Sequence, residues 1–307
     1  MDEWLQPALR FFQYLLLLGL FGWTAFRVVG LRAASRLPVR SGRTAAIIAA
    51  GLAPFVSTGL MLASIAAMMG QTIGALDWPM IEAMTLSTDM GWAFLIRTAF
   101  LIVGAMALLA GSDNLRLSIA AICFAVALIT LGWSGHAAAT EGALGWAHRL
   151  SNSVHLLASG LWLGAIGWFA NLSIIAHREA ERVPVAPLLA AMHGFAPLGV
   201  ALVATVAITG LINAQLIFGL ENSAATLATS YGVLLAAKIA IVVGMLAFGA
   251  HNAWKSRSSI ATSRSAALEY RAALSRLRHS LAFEMTLGIV VLGLVAILGM
   301  LSPVMTE

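Results

Sequence analysis

Three of the seven histidines, His136, His148 and His155, lie within one short stretch, GHAAATEGALGWAHRLSNSVHLL, where one apolar run ends and the next begins. Imidazole nitrogen suits copper, zinc, iron and nickel. An imidazole held in lipid loses its hydration and needs a partner. If the second run is helical, His148, Asn152 and His155 fall at i, i+4 and i+7 on one face. His148 and His155 are then about 10 Å apart along the axis, too far for one compact metal site. A pair drawn from two helices, His136 with His155 or with His148, fits the chemistry better. Methionine supplies a second signal. Met68, Met69, Met80, Met84 and Met90 crowd a short segment, and thioether sulfur is a soft ligand that favours Cu(I). Met80 and Met84 are neighbours one turn apart if that segment is helical. Gap filling between helices is the plainer role for any single methionine.

Two cations sit inside apolar runs, Arg97 and Lys238. Each lies about 10–12 Å below the end of its run. No Asp or Glu is expected at that depth. They either snorkel toward water or compensate an anion that the chain does not encode. Two chemistries therefore stay open. In one, His136, His155 and His148 with Met80 and Met84 handle copper. In the other, His136 and His155 are axial ligands of a b-type haem, whose propionates meet Arg97 and Lys238, and the protein moves electrons. At the opposite ends of the runs, His177, His193, His251, His279 and Glu284 are explained by helix termination, hydrogen bonding and headgroup contacts. There is no Walker loop, dinucleotide fingerprint, HExxH or CxxC. Enzyme activity is not expected, electron transfer apart.

The elements that must position these residues are membrane spans. The chain of 307 residues is 60% hydrophobic and 10% charged, with a mean hydropathy of +0.91. Soluble chains are about 45–50% apolar and 25% charged. The fold class is all-α and polytopic, a single integral membrane domain over residues 1–307. Eight transmembrane helices are predicted near 9–29, 44–69, 90–110, 117–138, 146–172, 187–218, 230–252 and 280–301. The segment 253–279 places Tyr270, Leu274, Leu277 and Leu281 at near-helical spacing and reads as an interfacial helix. Cys123 lies in mid-span and reads as packing. No cleavable signal peptide is expected. Fourteen of the eighteen Lys and Arg residues fall in links on one side. That is the positive-inside pattern, so both termini are expected on the outer, periplasmic side, together with the histidine cluster. The basic residues answer to the bilayer, and nucleic acid is not an expected partner.

The chain also matches itself. Tyr14–Phe21 reads YLLLLGLF and His155–Trp162 reads HLLASGLW; Gly91 precedes Arg97 by the spacing at which Gly232 precedes Lys238. Such a match predicts two parallel four-helix halves, 1–140 and 141–307. His155 then stands where the first half has Tyr14, and only the second half carries the histidine site.

At these residues the chain resembles the CopD family of bacterial inner-membrane copper proteins. The resemblance rests on Gly135-His136-Ala137, His155 through Trp162 and Gly164, and Gly91-Trp92 with Arg97. It continues through Thr209-Gly210 with Asn213, Tyr231-Gly232 with Lys238 and Asn252, and Glu284 and Pro303. It covers about residues 50–305. Phe195-Ala196-Pro197 departs from it, since the family usually has serine after the phenylalanine. The resemblance implies eight spans, copper transport and copper resistance, and a periplasmic copper-binding partner of the CopC type, separate or fused. It adds Trp162, Asn213, Tyr231, Asn252 and Glu284 as supporting residues, and it implies that copper enters from the periplasm.

Overall fold

In lipid every backbone N–H and C=O must find its partner within the protein, so long apolar runs become helices. The computed structural model describes residues 4–29, 42–135, 138, 140–178, 185–260 and 266–303, side chains at 185, 186, 250–260 and 266–273 excepted. Among them no strand occurs, and eight helices are long and apolar enough to cross a membrane. They are α1 (Leu5–Val29), α2 (Arg43–Met68), α4 (Asp89–Ala110), α5 (Asn114–Ile129), α6 (Gly142–Arg178), α7 (Val185–Phe218), α9 (Ser230–Ile260) and α10 (Ala266–Leu298). Two short helices, α3 (Trp78–Leu86) and α8 (Ser223–Leu227), lead into α4 and α9.

Several boundaries differ from the sequence expectation, among them the end of α9, which runs past residue 252 to Ile260. The fourth span is predicted to reach residue 138, but α5 stops at Ile129 and a single 3-10 turn, Thr130–Trp133, completes it. The Thr130 hydroxyl donates back to Ala127 O at 2.6 Å, and Gly135 adopts φ +73°, a conformation that ends a helix. His136 therefore follows the span instead of closing it, and the residue itself lies outside those described. The fifth span is longer than predicted, because α6 runs through 37 residues without a break. The helix expected to lie along the interface is the start of α10, continuous with the eighth span; no proline interrupts it.

The centre of the molecule is the crossing of α1 and α6. Lipid gives helices no hydrophobic reason to associate, so they associate where small residues allow close contact. Gly160 and Gly164 on α6 meet Gly22 on α1 in this way: a Cβ on Gly22 would collide with Gly160 O, and one on Gly164 with the Gly22 backbone. Deeper along the same seam Trp23 stacks on Trp168 at 6.2 Å, Trp168 Nε1 donates to Trp23 O, and Arg27 covers both rings. Phe26, Phe169 and Phe195 close an aromatic triangle between α1, α6 and α7, so the residue beside the Ala196-Pro197 departure packs in the core.

Around this crossing α1 packs on α2 and α5, with α4 wedged against both. On the other side α6 packs on α7 and α10, and α9 packs on α10. One contact is not repeated. The second and third spans pack together, as α2 on α4, whereas among the described residues α7 and α9 form no comparable packing. Arg43 donates to Leu108 O and Leu109 O, the last carbonyls of α4, where a cation is favoured by the helix dipole. Asp113 caps α5 by accepting from Arg116 N at 3.1 Å and pairs with the Arg116 guanidinium; the backbone donor holds its carboxyl below the usual carboxylate range.

Candidate functional site

His155 is half-buried on the face of α6 that meets α7. Its Nδ1 lies 3.0 Å from Thr209 Oγ1. The Thr209 hydroxyl in turn donates to Thr205 O at 2.6 Å. A hydroxyl has one proton, and that proton is committed to the carbonyl. With the proton on Nδ1, Thr209 accepts from it and the lone pair of His155 lies on Nε2; the Val206 carbonyl is a further hydrogen-bond partner of the ring. A second partner that fixes the tautomer is the usual companion of a metal-ligating imidazole. The ring lies against Gly210, where a Cβ would stand 3.5 Å from His155 Cε1, an ordinary van der Waals contact. Lys238 on α9 is half-buried and close enough to act on His155 electrostatically. No carboxylate pairs with Lys238 among the described residues; the one salt bridge there is Arg116–Asp113.

From His155 a polar strip follows the α6–α7 seam toward the end of the bundle that holds α3 and α8. Ser151 Oγ donates to Thr209 O at 3.4 Å. Asn213, one turn beyond Thr209, carries a buried Oδ1 with no hydrogen-bond partner. His148, fully buried at 2% exposure, meets Thr140 Oγ1 through Nδ1 at 3.0 Å. Arg149 lies between Trp133 and Trp146, over both rings.

The first half places other groups at the matching positions. Tyr14 and Arg97 stand 141 residues before His155 and Lys238, and Arg97 acts on Tyr14 as Lys238 does on His155. Arg97 does not snorkel. It is buried at 6% exposure and donates through Nε and a terminal nitrogen to the side chain and carbonyl of Thr130. Both spans enter through the same corner. Thr88 Oγ1 accepts from Gly91 N at 3.0 Å, and Thr229 Oγ1 accepts from Gly232 N at 3.1 Å. A Cβ on Gly91 would collide with Thr85 O, and one on Gly232 with Thr226 O.

The remaining sequence candidates are scattered. Met80 and Met84 are half-buried on α3, which packs on α4 and α2 and so belongs to the first half. Trp162 is half-buried against the second core cluster. Tyr231 is buried and meets Phe218 edge-on. Glu284 is buried and accepts from Ser280 Oγ at 3.2 Å. The side chain of Asn252 and all of His136 lie outside the described residues, so the pairing of His136 with His155 or His148 is not seen. His177, His193 and His279 are exposed and do not gather. Among the described residues no three His, Cys, Asp or Glu side chains converge on a metal position. Sequence reasoning did not single out Thr130 and Thr140 as partners, and it named Thr209 only within a motif. Hydroxyls in an apolar run read as back-bonding to their own helix, and only the packing shows what else they meet. Gln13 was also missed. It is buried at 4% exposure in α1 and donates to Ser57; an amide inside an apolar run was the available signal.

Comparison with known proteins gives these geometries a context. The family described as copper resistance protein D-like, N-terminal domain, matches residues 1–146. The family described as copper resistance protein D matches residues 189–298. Copper resistance protein D of Pseudomonas syringae pv. tomato is 33% identical over 99% of this chain and 99% of its own length. No solved structure matches the chain.

Proposed function

The chain belongs to the copper resistance protein D family, and from that premise we propose that it carries copper through a bacterial inner membrane, from the periplasm toward the cytoplasm, by way of His155. The observation that carries this reading is the Thr205–Thr209–His155 relay, which leaves Nε2 as the ligating nitrogen inside the membrane. His148 and the unpartnered Asn213 oxygen supply polar stations between the bundle end and His155. His136 completes the entry site, and Met80 and Met84 gather Cu(I) at that end, in keeping with thioether softness. Lys238 opposes a resting cation at His155, since like charges repel strongly in low dielectric. Transit needs binding weak enough for release, so this repulsion favours passage over storage. We further propose that residues 1–140 and 141–307 are diverged copies of one four-span unit, of which the second kept the metal chemistry. A periplasmic CopC-type chaperone is the proposed donor.

The test is radioactive copper uptake into cells, with metal analysis and absorption spectra on the purified protein. His155→Ala and His136→Ala should each lower uptake about tenfold or more, as loss of a ligand does, with no Soret band in any sample. Met80→Leu with Met84→Leu should lower uptake only at scarce copper. Binding of the chaperone should survive His155→Ala. Unchanged uptake in His155→Ala would remove the proposed route. A Soret band with sharp reduced bands, lost in the same variants, would replace copper transport by haem-based electron transfer.

A further inference from the structure

The first half holds a cavity that the copper route does not use. It lies between α1, α2, α4 and the turn after α5, and its volume is about 30 Å³, room for about two water-sized groups. Its polar walls are Arg10, Gln13, Tyr14, Ser57, Ser64, Arg97 and Ser134, and no carboxylate lines it. Two arginines therefore line one small, partly open space. Arg97 is 6% exposed, and it donates to the two oxygens of Thr130, both neutral. Arg10 gives one terminal nitrogen to Gly299 O at 3.2 Å, and its buried Nε has no partner. Ser57 accepts from Gln13 Nε2 at 3.1 Å, so its own proton is free to donate. A charge held this deep costs several kcal/mol unless something offsets it. Water solvates such a charge but does not neutralise it.

We propose that this cavity binds a small inorganic monoanion of the chloride class, held by Arg97 and Arg10 with the Tyr14 and Ser57 hydroxyls as further donors. The volume excludes a lipid tail or a large organic acid. The charge excludes a metal cation, although Met61 and Met90 also border the space. The anion offsets the fixed positive charge of the first half beside a route proposed for a cation in the second. The proposal stands on the cavity alone and does not depend on the copper reading.

The test uses the full-length protein, purified in detergent with gluconate as the only bulk anion. Radioactive chloride is titrated by equilibrium dialysis, with bromide as competitor. The expected result is one saturable site per chain, displaced by bromide and untouched by gluconate. Arg97→Gln should weaken it about tenfold or more, the equivalent of about 1.4 kcal/mol. Should that variant fail to fold, Tyr14→Phe and Ser57→Ala each remove one donor and should weaken binding severalfold. Absence of saturable chloride binding in the unaltered protein would overturn the proposal. So would binding unchanged in every folded variant. Stabilisation by phosphatidylglycerol vesicles without any by chloride would also overturn it and assign the two arginines to lipid phosphate.

Discussion

Thr209 decides which nitrogen of His155 is available to a ligand. Its proton goes to Thr205 O and its lone pair takes Nδ1–H, so one hydroxyl sets the tautomer of the proposed copper residue. Thr209→Val keeps the shape and removes the oxygen. The ring then loses one partner and keeps the Val206 carbonyl, so its orientation and tautomer are held less firmly. Copper affinity should fall about 10- to 100-fold, the usual cost of removing such a partner. Thr209→Ser should restore most of it. Competition with a chromophoric Cu(I) chelator measures both. Equal affinity in Thr209→Val and the unaltered protein would show that His155 does not ligate through Nε2. At this scale the sequence disclosed the imidazole but not its orientation. A histidine in an apolar run is visible because it is costly there, whereas a threonine satisfies itself on its own helix and gives no sign of a second role.

Glycine placement governs how the helices meet, and identical letters do different work. Gly19 and Gly160 occupy matching places in the two similar segments. A Cβ on Gly19 would meet nothing within 4 Å, yet one on Gly160 would stand 2.8 Å from Phe21 Cδ1. Gly164 is tighter still, with backbone of Gly22 on the far side. Backbone does not yield as a flexible side chain does, so Gly164→Val must push α1 from α6. The expected cost is about 1–3 kcal/mol, as for other overpacked contacts, seen as a lower melting temperature in detergent. Gly19→Val should change it by less than about 0.5 kcal/mol, since it overpacks nothing. Equal melting temperatures would mean that the α1–α6 crossing is not close. Spans were legible from hydropathy because length and apolarity decide membrane crossing. The end of α5 was not, because local turn chemistry at Thr130 and Gly135 overrides a run that stays apolar to residue 133. The corners at Thr88–Gly91 and Thr229–Gly232 were half legible: the glycine-to-cation spacing shows in the sequence, and the capping hydroxyls explain it only once the helix starts are known.

At the scale of the whole molecule, charge placement and helix count together specify an orientation. An even number of spans returns the chain to the side where it began, and the links after α1, α4, α6 and α9 share the opposite side. Those links and their flanks carry fourteen of the eighteen basic residues. Basic links favour the cytoplasm, so the proposed orientation puts α3 and α8 on the periplasmic face. Arg43 lies at the same end as the basic links, where it binds the last α4 carbonyls. The consequence can be read without copper. With buried Cys123 replaced by alanine, a single cysteine at exposed Glu82 on α3 should react with a membrane-impermeant maleimide added to intact spheroplasts. A cysteine at exposed Asn114, at the start of α5, should react only after the membrane is opened. The reverse pattern would put the α6–α7 polar strip at the cytoplasmic end. His155 would then receive copper from inside the cell, and the proposed uptake would become export through the same residues.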